Sequence, residues 1–159
     1  MSIKVIHSYS KDTETFIKIF LDKDFIEKKY NSIGATNVSV LEHGEKDGKF
    51  IVKTQRDVAV ELPNFAKKIL KPTNTIIETD IWDLSGDVKT CSFDIDSSGV
   101  PVKMNGTMTV KDTENGCENH LVIETKVNVP LIGGKIAKIV EKATNESVEA
   151  EYQYCKEHI

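Results

Sequence analysis

The sequence predicts an α+β fold: a curved antiparallel sheet of about seven strands, two short helices after the first strand, and a long C-terminal helix gripped by the sheet. Three observations predict it. Apolar and polar residues alternate through most of the chain, which is the period of half-buried strands. Two early stretches carry a helical period instead. Val129-Pro130-Leu131-Ile132-Gly133-Gly134-Lys135 then interrupts the last strand pattern, and about 25 residues of helical pattern run from it to the C-terminus. A long helix closing a curved sheet favours an internal cavity, and a cavity is where a ligand would sit.

Ile3, Val5, His7 and Tyr9 alternate with Lys4 and Ser8 and read as a strand, with Ile6 on the opposite face. Ser10 or Asp12 can cap the helix that follows, because a short side-chain oxygen satisfies a free backbone N–H. Phe16, Ile17, Ile19, Phe20 and Leu21 form its apolar face. Asp22 or Asp24 can cap a second helix that buries Phe25, Ile26 and Tyr30 and stops at Gly34. From Ala35 the period shifts towards two. Val38 and Val40 begin a strand ending near Glu42, and His43 to Gly48 reads as a hairpin loop. Phe50, Val52, Thr54 and Arg56 share one face of the next strand. Pro63 and Pro72 bracket residues 64–70, which argues for a short helical turn or an ordered loop rather than a continuous strand.

Thr73 to Trp82 is rich in β-branched residues and reads as a strand, Ser85-Gly86-Asp87 as a turn, and Val88 to Ile95 as a strand. Asp96 to Pro101 turns again. Val102, Met104, Gly106, Met108 and Val110 then form one face of the cleanest alternating run, with Lys103, Asn105, Thr107, Thr109 and Lys111 on the other. Gly106 within the apolar face marks a sharp bend or a close approach to backbone. Asp112 to Gly116 is the last hairpin, and Leu121, Ile123 and Val127 carry the final strand. The closing helix has an apolar stripe at Ile132, Ile136, Ile139/Val140, Ala143, Ser147, Ala150 and Tyr154. Bulky residues pin its first half. The small residues Ala143, Ser147 and Ala150 either leave room beneath its middle or allow close helix–sheet packing.

Bulk properties bound the function. A chain of 159 residues reads as one domain, 1–159, with 39% hydrophobic and 29% charged residues and a net charge of -4. Nucleic acid is a poor partner for an acidic chain whose only arginine is Arg56. No run approaches the roughly 18 apolar residues of a transmembrane helix, and the N-terminus lacks the apolar region of a signal peptide. Cys91, Cys117 and Cys155 show no metal or disulfide spacing and read as reduced thiols of a cytoplasmic protein. No cofactor is implied, and a monomer or weak dimer is expected.

Several segments carry a family resemblance: Glu61-Leu62-Pro63-Asn64-Phe65-Ala66-Lys67-Lys68, Ile81-Trp82, Gly99-Val100-Pro101 ahead of the strand holding Gly106, and Val129 to Lys135. Together with the element order, they make nearly the whole chain resemble a bacterial branch of the START-like helix-grip superfamily, a branch with no assigned function. The superfamily includes lipid-transfer domains, plant pollen allergens and polyketide cyclases. The resemblance implies a tunnel between sheet and last helix that takes apolar ligands such as lipids, sterols, polyketides or plant hormones. It carries over no catalytic residue.

The candidate ligand-binding residues are His7, Tyr9, Arg56, Trp82, Met104, Met108, Ala143, Ser147 and Ala150. His7 on an inward face can serve as a base or ligand contact, or as a hydrogen-bonded core residue. Arg56 can anchor a carboxylate or phosphate head group, or form an internal ion pair, with Glu42 or Asp94 as partners if they point inward. The two methionines can conform to varied ligands or fill the core. Trp82 reads as core or cavity wall. His43, His120 and His158 show no metal-ligand spacing, so no metal site is expected. Gly133-Gly134-Lys135 lacks the Ser/Thr of a phosphate loop, and no nucleophile elbow surrounds any Ser, Thr or Cys. The leading expectation is a module that binds or carries an apolar or amphipathic small molecule. A protein-interaction domain, presenting Phe65, Ile69 and Leu70, is the second reading. A cyclase- or hydratase-type enzyme, using His7, Tyr9, Arg56 and Asp94, is the third.

Overall fold

The computed structural model describes residues 1–159 and has the predicted α+β architecture. Its elements are β1 (Ser2–Tyr9), α1 (Thr13–Phe20), α2 (Lys23–Ser32), β2 (Thr36–Lys46), β3 (Lys49–Ala59), a 3-10 turn (Asn64–Ala66), β4 (Thr73–Asp83), β5 (Lys89–Ser97), β6 (Val102–Thr113), β7 (Gly116–Val127) and α3 (Gly133–His158). The seven strands form one curved sheet in the order β1-β7-β6-β5-β4-β3-β2, antiparallel throughout. Because β1 and β2 occupy opposite edges, α1 and α2 carry the chain from one edge to the other. No helix is long and apolar enough to cross a membrane.

Local chemistry sets the ends of these elements. Asp12 accepts a hydrogen bond from the Thr15 amide at 2.8 Å and caps α1. Asp22 accepts one from Phe25 at 3.0 Å and caps α2. Each satisfies an amide that has no partner within its own helix. Gly34 follows α2 at φ 101°, a conformation in which a Cβ is strained.

The β2–β3 connection differs from the loop expected over 43–48. His43, Gly44, Glu45 and Lys46 pair with Val52, Ile51, Phe50 and Lys49, and the turn shrinks to Asp47 and Gly48, at φ 52° and 78°. Two positive-φ residues are the geometry whose twist matches paired strands. Register shifts between Thr36 and Ser39 and between Val40 and Glu42 break the alternation of β2, which is why its sequence reads as ending early.

Gly106 faces its neighbours where the sheet leaves no room. A Cβ there would overlap the Val122 carbonyl oxygen and the Phe93 ring. The buried apolar side chains fall into two clusters. The larger joins α1 and α2 to the sheet through Phe16, Phe25, Tyr30, Trp82, Phe93 and Cys155, among others. The smaller gathers Ala66, Leu70, Val102 and Ile136. Thus α3 is pinned near its start by Ile136, at 0% exposure, and near its end by Cys155, at 2%. The small residues Ala143, Ser147 and Ala150 lie between these anchors.

Candidate functional site

Beneath the middle of α3 the concave sheet face leaves a cavity of about 900 Å³, lined by 46 residues of which 29 are hydrophobic. Strand parity decides who lines it. In β1 the inward set is Ile3, Val5, His7 and Tyr9, and in β6 it includes Val102, Met104 and Met108. Exposed residues such as Gly34, Ala59, Glu61 and Ser147 are also among the lining, so the cavity reaches solvent near them.

Of the residues singled out in the sequence, His7, Tyr9, Arg56, Met104, Met108, Ala143, Ser147 and Ala150 line this space. Trp82 does not. It is fully buried, edge-on to Phe20 with ring centroids 6.2 Å apart, and belongs to the core under α1. Burial holds the pKa of His7 below its ordinary value, with Glu149 opposing that shift, and its ring stacks on Tyr152 at 4.0 Å. Burial pushes the Tyr9 phenol well above its ordinary value. Its ring packs on Phe16 at 4.4 Å.

The Arg56 guanidinium is already engaged. Its Nη2 donates to Glu78 Oε2 at 2.7 Å, its Nη1 donates to Thr54 at 3.2 Å, and its Cζ lies 3.9 Å from the Tyr30 ring centroid. Thr54 stands opposite Glu78 across the β3–β4 pair, so Arg56 reaches its partner diagonally. The head-group anchor expected of Arg56 therefore gives way to the internal ion pair. Its partner is Glu78, not Glu42 or Asp94, which are both exposed.

Sequence reasoning missed the rest of this cluster. The Tyr30 hydroxyl donates to Glu78 Oε2 at 3.4 Å. Lys29, 3% exposed, lies 4.6 Å from the Phe20 ring and 3.5 Å from Glu151 on α3. Burial opposes the charges of both Glu78 and Lys29. Arg56 nevertheless outweighs it for Glu78, whose pKa is lowered, and the groups around Lys29, Tyr30 and Glu151 among them, keep it protonated. Asp80, the next residue of β4 on the same face, is driven the other way by burial and by Glu78, so its carboxyl is held well above the usual range. A signal for these residues was present: Ile76, Glu78, Asp80 and Trp82 share one strand face, and a tryptophan on a strand face marks the inner side.

The catalytic grouping expected of the third reading does not form. Asp94 is exposed, so the proposed meeting of His7, Tyr9, Arg56 and Asp94 does not occur. Burial raises the Cys117 and Cys155 thiols to about 11, which leaves them protonated at neutral pH. No three His, Cys, Asp or Glu side chains come together to hold a metal ion. The interaction surface expected on the 58–72 segment, with Phe65, Ile69 and Leu70, is reduced to Phe65, 46% exposed, because Leu70 is buried in the smaller cluster and Ile69 is half-buried.

The family model described as a protein of unknown function, DUF2505, matches residues 4–159. No curated protein matches the chain in sequence. Its fold is that of several solved structures. TTHA0849 from Thermus thermophilus superposes with a TM-score of 0.70 at 14% identity, over 99% of this chain and 95% of that one. A START superfamily protein from Mycobacterium smegmatis gives 0.63 at 12%, over 100% and 98%. Human STARD10 gives 0.62 at 12%, over 97% of this chain and 62% of its own. These likenesses establish the START-like helix-grip fold.

Proposed function

We propose, for a chain that belongs to the DUF2505 family of proteins of unknown function, that residues 1–159 act as one domain that binds or carries an apolar or amphipathic small molecule. The observation that carries this reading is the cavity of about 900 Å³ beneath α3, walled mainly by apolar side chains and interrupted by a few polar ones. Sites for small organic ligands have this make-up and span roughly 300–1,000 Å³. Ala143, Ser147 and Ala150 are among the residues lining that space, which supports the reading. The START-like fold is consistent with a ligand-binding role.

The test is native mass spectrometry of the purified protein, followed by organic extraction and analysis of what is released. A co-purifying lipid-like compound, lost on extraction, is the expected result. A bare mass, together with failure of apolar dyes and alkyl compounds to bind the extracted protein, overturns the reading.

A further inference from the structure

The polar wall of the cavity has a charge balance and an unmet hydrogen-bonding capacity, and together these restrict what can fit. Its buried cations are spoken for. Arg56 is paired with Glu78 at 2.7 Å and Lys29 with Glu151 at 3.5 Å, while Lys142, at the solvent edge, meets Glu146 only in an exposed pair at 3.8 Å. Glu61 and Asp80 also line the space, so its carboxyl groups outnumber its cationic side chains. An anionic head group buried in the cavity would find no free cation there, only the exposed Lys142 at its mouth, and burying a charge without a partner is costly. The unmet capacity has the opposite sense. The cavity-lining residues Asn74, Asp80 and Asn119 each carry a side-chain oxygen, Oδ1, that has no protein donor and is shut off from water in the empty cavity, so a small turn of the side chain is what exposes it to a ligand. Asn119 is 4% exposed, and Asn74 is fixed in orientation because its Nδ2 donates to the Lys71 carbonyl at 2.8 Å. A buried acceptor left unpaired costs free energy that a ligand donor would recover.

Resting on the carrier reading, we infer that the cavity takes an electrically neutral amphipathic molecule whose polar end donates a hydrogen bond, such as an alcohol, to the oxygens of Asn119 or Asp80, and that it discriminates against free carboxylates and phosphates. A hydroxyl suits these positions because it donates to a carboxyl or amide oxygen and can also accept from an amide nitrogen. Asp80 adds to the discrimination, since burial and the neighbouring Glu78 already oppose a negative charge there.

The experiment is displacement of the neutral dye Nile red from the extracted full-length protein at about pH 8, using three ligands of one chain length: dodecan-1-ol, dodecyl methyl ether and dodecanoate. The ether accepts but cannot donate. Dodecan-1-ol is expected to displace the dye at about tenfold lower concentration than either of the others, the factor that one buried hydrogen bond commonly supplies. Dodecanoate as effective as the alcohol overturns the exclusion of anions while leaving the carrier reading intact. Ether as effective as the alcohol overturns the donor requirement. Failure of the dye and all three compounds to bind removes the carrier reading and this inference with it. In Asn119→Leu and Asp80→Leu the advantage of alcohol over ether is expected to shrink in at least one. An undiminished ratio in both folded variants overturns the assignment to these oxygens, and the comparison on the unaltered chain holds even if a variant fails to fold.

Discussion

Glu78 is the side chain on which the buried charges depend. It accepts from Arg56 and Tyr30 and stands beside Asp80 on the inner face of β4. Removing one member of a buried pair leaves the other uncompensated, at a cost of about 3–5 kcal/mol. Glu78→Gln is therefore expected to lower stability by about 3 kcal/mol in urea denaturation, and an unmoved midpoint would contradict the buried pair. Asp80 has the opposite linkage. Its folded pKa lies above the unfolded value of about 3.9. Between the two values, the folded chain holds a proton that the unfolded chain has released. The stability this group contributes is present below about pH 4 and is lost as pH rises through the folded value. Asp80→Asn keeps the shape and removes the ionisation. It should raise Tm by a few degrees at about pH 8, roughly 1 kcal/mol in a chain of this size, and leave Tm little changed at about pH 3.5. Equal Tm values at the higher pH would refute that account. Sequence alone exposes Arg56, but its partner is signalled only through Trp82 on the same strand face, because β4 carries isoleucines on both faces and its parity is blurred. Lys29 and Glu151 come together only through the packing of α2 on α3, a contact between residues far apart in sequence.

At the scale of elements, parity made β1, β3 and β6 readable: β6 alternates cleanly, β1 does so but for Ile6, and in β3 Phe50, Val52, Thr54 and Arg56 share the inner face. Where alternation is broken, the reading slips. Bulges in β2 hid four paired residues inside an expected loop, and the turn proved to need only Asp47-Gly48. In α3 the spacing of bulky and small residues was legible, but whether the small ones marked close packing or open space was not. That depends on how far the sheet curves away, which no residue in the helix encodes. The structure shows both ends pinned and the middle spanning the cavity. Two substitutions separate these roles. Ala143→Phe adds a ring where the lining is open, so the fold and its Tm should survive while Nile red binding falls at least about tenfold, through loss of volume in a largely preformed pocket. Gly106→Ala adds only a methyl group, but against the Val122 carbonyl and the Phe93 ring. It should cost about 2 kcal/mol or more, since overpacking forces β6 and β7 apart. If calorimetry found the two variants equally destabilised, the distinction between open lining and filled core would fail.

The whole molecule is a sheet with a helix held at two points and little beneath the span between them. That arrangement has a thermodynamic consequence that does not depend on which ligand is involved. A cavity of about 900 Å³ lacks the dispersion contacts that a close-packed interior would make, so filling it favours the folded state. A molecule that binds the folded chain and not the unfolded one adds RT ln(1 + [L]/Kd), about 2.7 kcal/mol at a hundredfold excess over Kd. For a chain of 159 residues that is a rise in Tm of roughly 5–10 °C. The rise should grow with the logarithm of ligand concentration, whether dodecan-1-ol or the extracted compound is used. It should shrink in Ala143→Phe, where the added ring takes up part of the volume. The gain should also be local. The middle of α3 rests on the cavity, so its amides should exchange with solvent faster than those near Ile136 and Cys155 before ligand is added, and slow towards them afterwards. Thermal shift and hydrogen exchange on the same samples read the two effects separately. A Tm that rises while exchange along the middle of α3 stays unchanged would place the ligand elsewhere on the molecule, and would refute the cavity as its site.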